Sequence, residues 1–201
     1  EIMPKNKDLI RSTGVDAFVT AIEARVSNTS KILTDALAEK SIRIVYDNLK
    51  DAMDNNDLAR ENLTIASIMA GLAFSNSGSG LVHCLGHSFG STFHILHGTS
   101  VGLFLPYVIE FNLKHEETRK KYERIAGILD FNIEELVGKI FEFFREIKQP
   151  VRVRDLNIDE KIYLEKLDEM VEKAAMDSEL AFNPFFVSND DLREIFIKAF
   201  G

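Results

Sequence analysis

The chain has 201 residues, of which 45% are hydrophobic and 28% charged, and its formal net charge is −8. Such values are ordinary for a soluble globular protein of one large domain or two small ones. The acidic balance argues against nucleic acid as the main partner, because no basic face is available to neutralise phosphates. The single cysteine, Cys84, excludes an internal disulfide framework. No apolar run reaches the roughly 18 residues of a membrane span, so we expect a cytoplasmic protein without a membrane partner.

Helical periodicity dominates the chain, and no strand-like alternation of apolar and polar residues persists. The pattern predicts an all-α fold of seven to nine helices in a compact array. Asp57 is the predicted N-cap of the third helix, and Pro106 should kink or restart a buried one. Residues 151–154 are predicted to form an extended link. The predicted helices cover residues 9–25, 30–52, 57–74, 99–111, 116–129, 133–147, 159–176 and 190–200.

Four of the five histidines lie within residues 71–112, surrounded by glycines and small residues. His83, His87, His94 and His97 are spaced 4, 7 and 3 positions apart. On an α-helix, with about 100° per residue, the last three lie within about 40° of the first. Imidazoles on one such stripe can bind a divalent metal or transfer protons to a substrate. The alternative is that these histidines only pack in the core or lie at the surface.

A divalent ion needs three or four protein ligands, so a carboxylate is the natural partner for these histidines. Asp16 is the best candidate because apolar residues flank it in TGVDAFVTAIEA. A buried carboxylate needs a cation or several hydrogen-bond donors. Asp16 could instead favour the helix dipole or face solvent. We expect Glu23, two turns later, to pair with Arg25 or with a neighbouring helix. Spacing alone does not select the histidines that would join Asp16.

Three segments resemble the iron-containing (group III) alcohol dehydrogenase family: TGVDAFVTAIEA, AGLAFSNSGSGLVHCLGHSFG and HGTSVGLFLPYVIEFN. The terminal AFNPFFVSNDDLREIFIKAF is also similar to that family's C-terminal signature. The resemblance runs from about Lys5 to the end and is weak between Leu113 and Met176. It implies that residues 1–201 form a single all-helical metal-binding domain. In that family, this domain shares an active-site cleft with an N-terminal NAD(P)-binding domain.

Carried over position by position, the resemblance makes Asp16, His83 and His97 the ligands of a catalytic iron or zinc ion. His87 would lie close to the metal and the nicotinamide, as a catalytic residue for proton relay and as a cofactor-binding residue. His94 matches no ligand position. Thr20 stands where the family usually has a fourth ligand, a histidine. Glycerol dehydrogenases resemble the resulting Asp–His–His arrangement, and three ligands plus a water or substrate oxygen still form a workable site.

The glycine-rich phosphate loop of the family's nucleotide domain is missing from the sequence. We therefore expect NAD or NADP to bind through an N-terminal domain absent from this chain, and the chain alone to be inactive. The resemblance implies oxidation of a small alcohol, or reduction of an aldehyde or ketone, by hydride transfer. Members of that family often dimerise, so the resemblance leaves a homodimer open as the assembly. Two alternatives stay open: a non-catalytic helical module with weakened or lost metal binding, and a lyase of the dehydroquinate-synthase type.

Overall fold

The computed structural model describes residues 6–201 and folds most of them into helices. This range contains ten α-helices, two short 3-10 helices and no β-strand. The all-α prediction is therefore confirmed, and the predicted number of helices was too low by one. The α-helices are α1 Lys7–Val26, α2 Ile32–Met53, α3 Asp57–Ser77, α4 Leu81–Phe93, α5 His97–Asn112, α6 Glu116–Ile128, α7 Leu136–Glu146, α8 Glu160–Glu165, α9 Leu167–Ala175 and α10 Asn189–Phe200, and the 3-10 helices are Val153–Leu156 and Ser178–Phe182.

Local capping explains where the predicted boundaries were wrong. The helix expected over residues 159–176 is two helices, α8 and α9, separated at Lys166. Asn56 rather than Asp57 caps α3, because the Asn56 side chain accepts a hydrogen bond from a backbone N–H in the first turn of the helix. The expected extended link is partly a 3-10 turn, because the Asp155 carboxylate accepts two backbone N–H groups at its start.

Helix α1 is the central element of the fold. It packs against α2, α3 and α5, and Val15, Phe18, Val19 and Ile22 have no solvent exposure. Burial of apolar surface stabilises this helix by about 25 cal/mol per Å² removed from water. Asp16 and Thr20, in the middle of α1, are only partly exposed.

Helices α4 and α5 form a sharp reversal. His94 ends α4 in the left-handed conformation, with φ of 55°, and the next residue donates its N–H back to the Gly90 carbonyl at 3.2 Å. The prediction that all four histidines lie on one stripe of a single helix was therefore wrong. His83 and His87 lie on α4, whereas His97 begins α5. The reversal returns His97 to the side of α4 that carries the other two. Helix α5 then continues through Pro106 without restarting.

The crossing of α1 and α5 depends on a glycine. A Cβ atom placed on Gly98 would overlap the backbone carbonyl of Ser12. The two helices therefore approach each other more closely than any residue with a side chain at position 98 would allow. This contact lies one turn before Asp16 on α1 and directly after His97 on α5.

Among the described helices, none is by itself long and apolar enough to cross a membrane. Helices α3 and α4 reach that length and composition only when taken together, and the chain bends by 107° between them.

Candidate metal centre

An open cleft of about 330 Å³ collects the residues expected to carry function. Asp16 and Thr20 reach it from α1, His83 and His87 from α4, and His97 from the first position of α5. Residues of α3 form the opposite wall. All four predicted site residues therefore line one cleft, although they come from three helices.

The three predicted ligands lie close enough to share one ion. Asp16 Oδ1 is 3.1 Å from His97 Nε2 and 3.9 Å from His83 Nε2. One ligand atom from each residue lies within 4.8 Å of the other two, and no second group of this kind occurs in residues 6–201. Ligands bound at about 2.1 Å around a tetrahedral ion are about 3.4 Å apart. The donor set and its spacing therefore fit a divalent iron or zinc ion.

Asp16 was expected to be a buried carboxylate, and the structure corrects this expectation. Its apolar neighbours in the sequence pack into the core, but the Asp16 side chain itself is 37% exposed and faces the cleft. Because water can solvate this carboxylate, burial does not require it to have a cation as a partner. It is a ligand candidate because it lies close enough to the imidazoles of His83 and His97 to share one ion with them.

Glu23 contacts a neighbouring helix, which is one of the two partners expected for it, rather than Arg25, which is the other. Glu23 is buried, with 3% exposure, and it pairs with the start of α4, while Arg25 pairs with Glu39 at 2.9 Å. Glu23 Oε1 accepts the Val82 N–H at 2.6 Å. Its Oε2 accepts the His83 N–H at 3.2 Å and lies 2.6 Å from His83 Nδ1. Glu23 follows Asp16 by seven residues, so helical periodicity puts both on the same face of α1. This spacing is the feature of the sequence that indicates that Glu23 lies near the site.

Burial acts on the titration of two adjacent residues of α4. It disfavours the His83 imidazolium, but the hydrogen bond and charge of Glu23, helped by Asp16, outweigh this effect and raise the pKa of His83 above its ordinary value. Burial raises the pKa of the Cys84 thiol, which donates to the Gly80 carbonyl at 3.2 Å. Cys84 is therefore a neutral buried thiol rather than a metal ligand.

His87 lies beside the ligand group at the open side of the cleft. Its ring stacks on that of His97 with 5.2 Å between centroids, and its side chain is 42% exposed. Its Nδ1 is 2.7 Å from Asp177 Oδ2, which leaves Nε2 for other partners. A carboxylate that holds one ring nitrogen is typical of histidines that transfer protons. His94, in contrast, is exposed at the end of α4 and lies outside the cleft.

Thr20 lines the cleft one turn after Asp16, where the sequence resemblance implies a fourth ligand. A neutral hydroxyl is a poor ligand for iron or zinc. Glu179 also lines the cleft, and its carboxylate accepts the N–H and the hydroxyl of Ser79 at 3.0 and 2.8 Å. No lysine or arginine is among the described residues that line this cleft. Its electrostatic character therefore favours a cation.

Comparison with known proteins identifies the family of this chain. The sequence profile described as "Fe-containing alcohol dehydrogenase family, C-terminal" matches residues 10–200. An alcohol dehydrogenase of Thermococcus barophilus is 37% identical over 194 residues, which cover 96% of this chain and 50% of that protein. An NADPH-dependent butanol dehydrogenase of Clostridium saccharobutylicum is 33% identical and covers 98% of this chain and 51% of that protein.

A solved structure of an iron-containing alcohol dehydrogenase from Thermococcus thioreducens superimposes with a TM-score of 0.93 at 32% identity. The match covers 99% of this chain and 52% of the solved one. The chain thus spans about half the length of the relatives it matches. It belongs to the iron-containing alcohol dehydrogenase family and has the fold of that family's C-terminal domain.

Proposed function

We propose that this chain is the metal-holding part of an NAD(P)-dependent alcohol dehydrogenase, which interconverts an alcohol and an aldehyde or ketone by hydride transfer. The observation that carries the proposal is the convergence of Asp16, His83 and His97 in one cleft beside His87. Relatives named as alcohol and butanol dehydrogenases support the reaction class. NAD or NADP is proposed to bind through a separate nucleotide-binding half, and the substrate to be a small alcohol, aldehyde or ketone.

Four residues of the cleft have a defined part in this proposal. Asp16, His83 and His97 would hold the ion, and the Asp16 carboxylate would offset part of its charge. When bound, a divalent ion polarises the alcohol oxygen and lowers the pKa of the alcohol hydroxyl. His87, with Nδ1 held by Asp177, has its Nε2 lone pair available to accept the hydroxyl proton. NAD(P), bound by the separate nucleotide-binding half, would supply the nicotinamide ring that takes the hydride from the alcohol carbon.

A His87→Gln substitution tests the catalytic part of the proposal. In an assay of the complete dehydrogenase, we expect kcat to fall by about 10²–10⁴-fold, because general acid–base catalysis contributes about that much. Alcohol-dependent formation of NAD(P)H, followed by its absorbance, gives kcat. The metal content of the same samples should stay at one ion per chain. Unchanged kcat would exclude the relay, and a parallel loss of metal would make His87 a ligand instead.

A Thr20→His substitution tests the proposed ligand set by adding a donor. An imidazole at this position would lie one turn from Asp16 on the same face of α1, so we expect Zn²⁺ to bind at least about tenfold more tightly, or about 1.4 kcal/mol. Competition with a chromophoric chelator measures the affinity of the purified chain. A matched Thr20→Val variant, which adds no donor, should bind Zn²⁺ as the unmodified chain does. Equal affinities for the histidine and valine variants would show that position 20 does not face the ion.

A further inference from the structure

The Glu23 carboxylate lies among three nitrogen atoms at the start of α4. Two of them are the backbone N–H groups of Val82 and His83, which can only donate. The third is His83 Nδ1, which lies 2.6 Å from Glu23 Oε2. Because an ionised carboxylate only accepts hydrogen bonds, the contact at Nδ1 requires a proton on that nitrogen. In the neutral imidazole, the lone pair is then left on Nε2.

We infer that Glu23 is a positioning residue that fixes His83 in the Nδ1–H tautomer and so directs the Nε2 lone pair to the ion. Nε2 is the His83 atom that lies 3.9 Å from Asp16 Oδ1, on the side of the ligand group. A histidine binds a metal only through an unprotonated nitrogen, and the hydrogen bond at its other nitrogen decides which one that is. The inference rests on the proposed metal site, whose ligands it orients.

The surroundings of Glu23 prevent the carboxylate from taking another position. The residue is 3% exposed and acts as the N-terminal cap of α4, where Gly80 supplies no side-chain cap of its own. A Cβ atom on Gly80 would lie only 3.0 Å from Glu23 Oε1, so the glycine leaves room for the carboxylate. Helix α1 therefore provides both one ligand, Asp16, and the group that orients a second ligand on another helix.

A Glu23→Gln substitution tests the inference. The side chain keeps its size, but one oxygen becomes an amide NH₂. If the remaining oxygen keeps the Val82 N–H, which is the closest backbone donor, the amide donates to His83 Nδ1 and moves the imidazole proton to Nε2. We expect Zn²⁺ affinity to fall by about 10–100-fold, the usual effect of losing such an orienting group. Heteronuclear NMR of the histidine ring nitrogens, at mildly alkaline pH without metal, should show Nδ1–H in the unmodified chain and Nε2–H in the variant.

An Asp177→Asn variant is the matched comparison. It alters an equally short carboxylate–imidazole contact, at His87, which is not part of the ligand group. We expect its Zn²⁺ affinity to stay within about threefold, since only a nearby charge is lost. An equal fall in both variants would show that charge alone matters and would overturn the inference. So would wild-type affinity in Glu23→Gln, or an Nε2–H tautomer in the unmodified metal-free chain.

The two measurements, metal affinity and the tautomer of His83, also separate this inference from the proposed function. If the unmodified chain binds no Zn²⁺ or Fe²⁺, the proposed function fails. The tautomer of His83 in the metal-free chain still decides what Glu23 does. That spectrum needs no variant, so the inference can be tested even if Glu23→Gln does not fold. Circular dichroism establishes whether it does.

Discussion

His83→Ala is expected to weaken Zn²⁺ or Fe²⁺ binding by about a thousandfold or more, which corresponds to about 4 kcal/mol. The substitution leaves Asp16 and His97 as the only ligands, and two ligands are too few for a stable divalent site. His83 is also the most buried of the three, so water cannot easily replace its imidazole with the same geometry. Chelator competition on the purified chain, under anaerobic conditions for Fe²⁺, measures the loss.

The matched control is His94→Asn. It also removes an imidazole from the end of α4, but His94 is exposed and lies outside the cleft. Asparagine tolerates the left-handed conformation that His94 adopts, so the fold should be undisturbed. We expect unchanged metal affinity in this variant. Equal losses in both variants, or none in either, would contradict the assignment of His83 as a ligand.

Gly98→Ala is expected to destabilise the chain by about 3 kcal/mol or more, at the upper end of the usual cost of overpacking. The added methyl group would meet the backbone carbonyl of Ser12, and a backbone atom cannot rotate away as a flexible side chain can. Helices α1 and α5 must therefore move apart. Urea denaturation of the metal-free chain gives the change in the free energy of unfolding.

Gly138→Ala is the control for this experiment. Gly138 is in α7, and a Cβ atom there would meet nothing within 4 Å. Because alanine is the better helix former, this variant should gain about 0.5–1 kcal/mol of stability. A Gly98→Ala chain as stable as the unmodified one would show that the helices can separate at no cost. The close approach of α1 and α5 would then not be needed to keep Asp16 near His97.

The fold class was predictable because helical periodicity is a local property of the sequence. The convergence of the site residues was not predictable in this way, since it depends on where the chain turns. The common helical stripe of His83 and His97 was a coincidence of spacing, because the reversal at His94 separates them onto two helices. They meet because α5 packs back on α4. The resemblance to a known family identified the ligand candidates without this information, because it assigns roles by position in the sequence.

Glu23 shows the second limit of sequence analysis. An acidic residue within a buried helix can pair with a neighbouring cation, with a helix start or with a ligand. The sequence left two partners open for Glu23, Arg25 and a neighbouring helix, and the structure pairs Arg25 with Glu39 and Glu23 with the start of α4. Only the packing of α1 against the start of α4 distinguishes these outcomes. Residues that orient a ligand are therefore harder to predict than the ligand itself.

The central position of α1 has a consequence for hydrogen exchange. Asp16, Thr20 and Glu23 lie on a helix whose apolar faces are enclosed by α2, α3 and α5. Amides in such a helix exchange with solvent mainly when the whole domain opens, rather than through local fraying. An ion held by α1, α4 and α5 would therefore slow exchange across the core as a unit. The more tightly the ion binds, the less often the whole domain would open. Loss of the ion would therefore shorten the lifetime of the folded state.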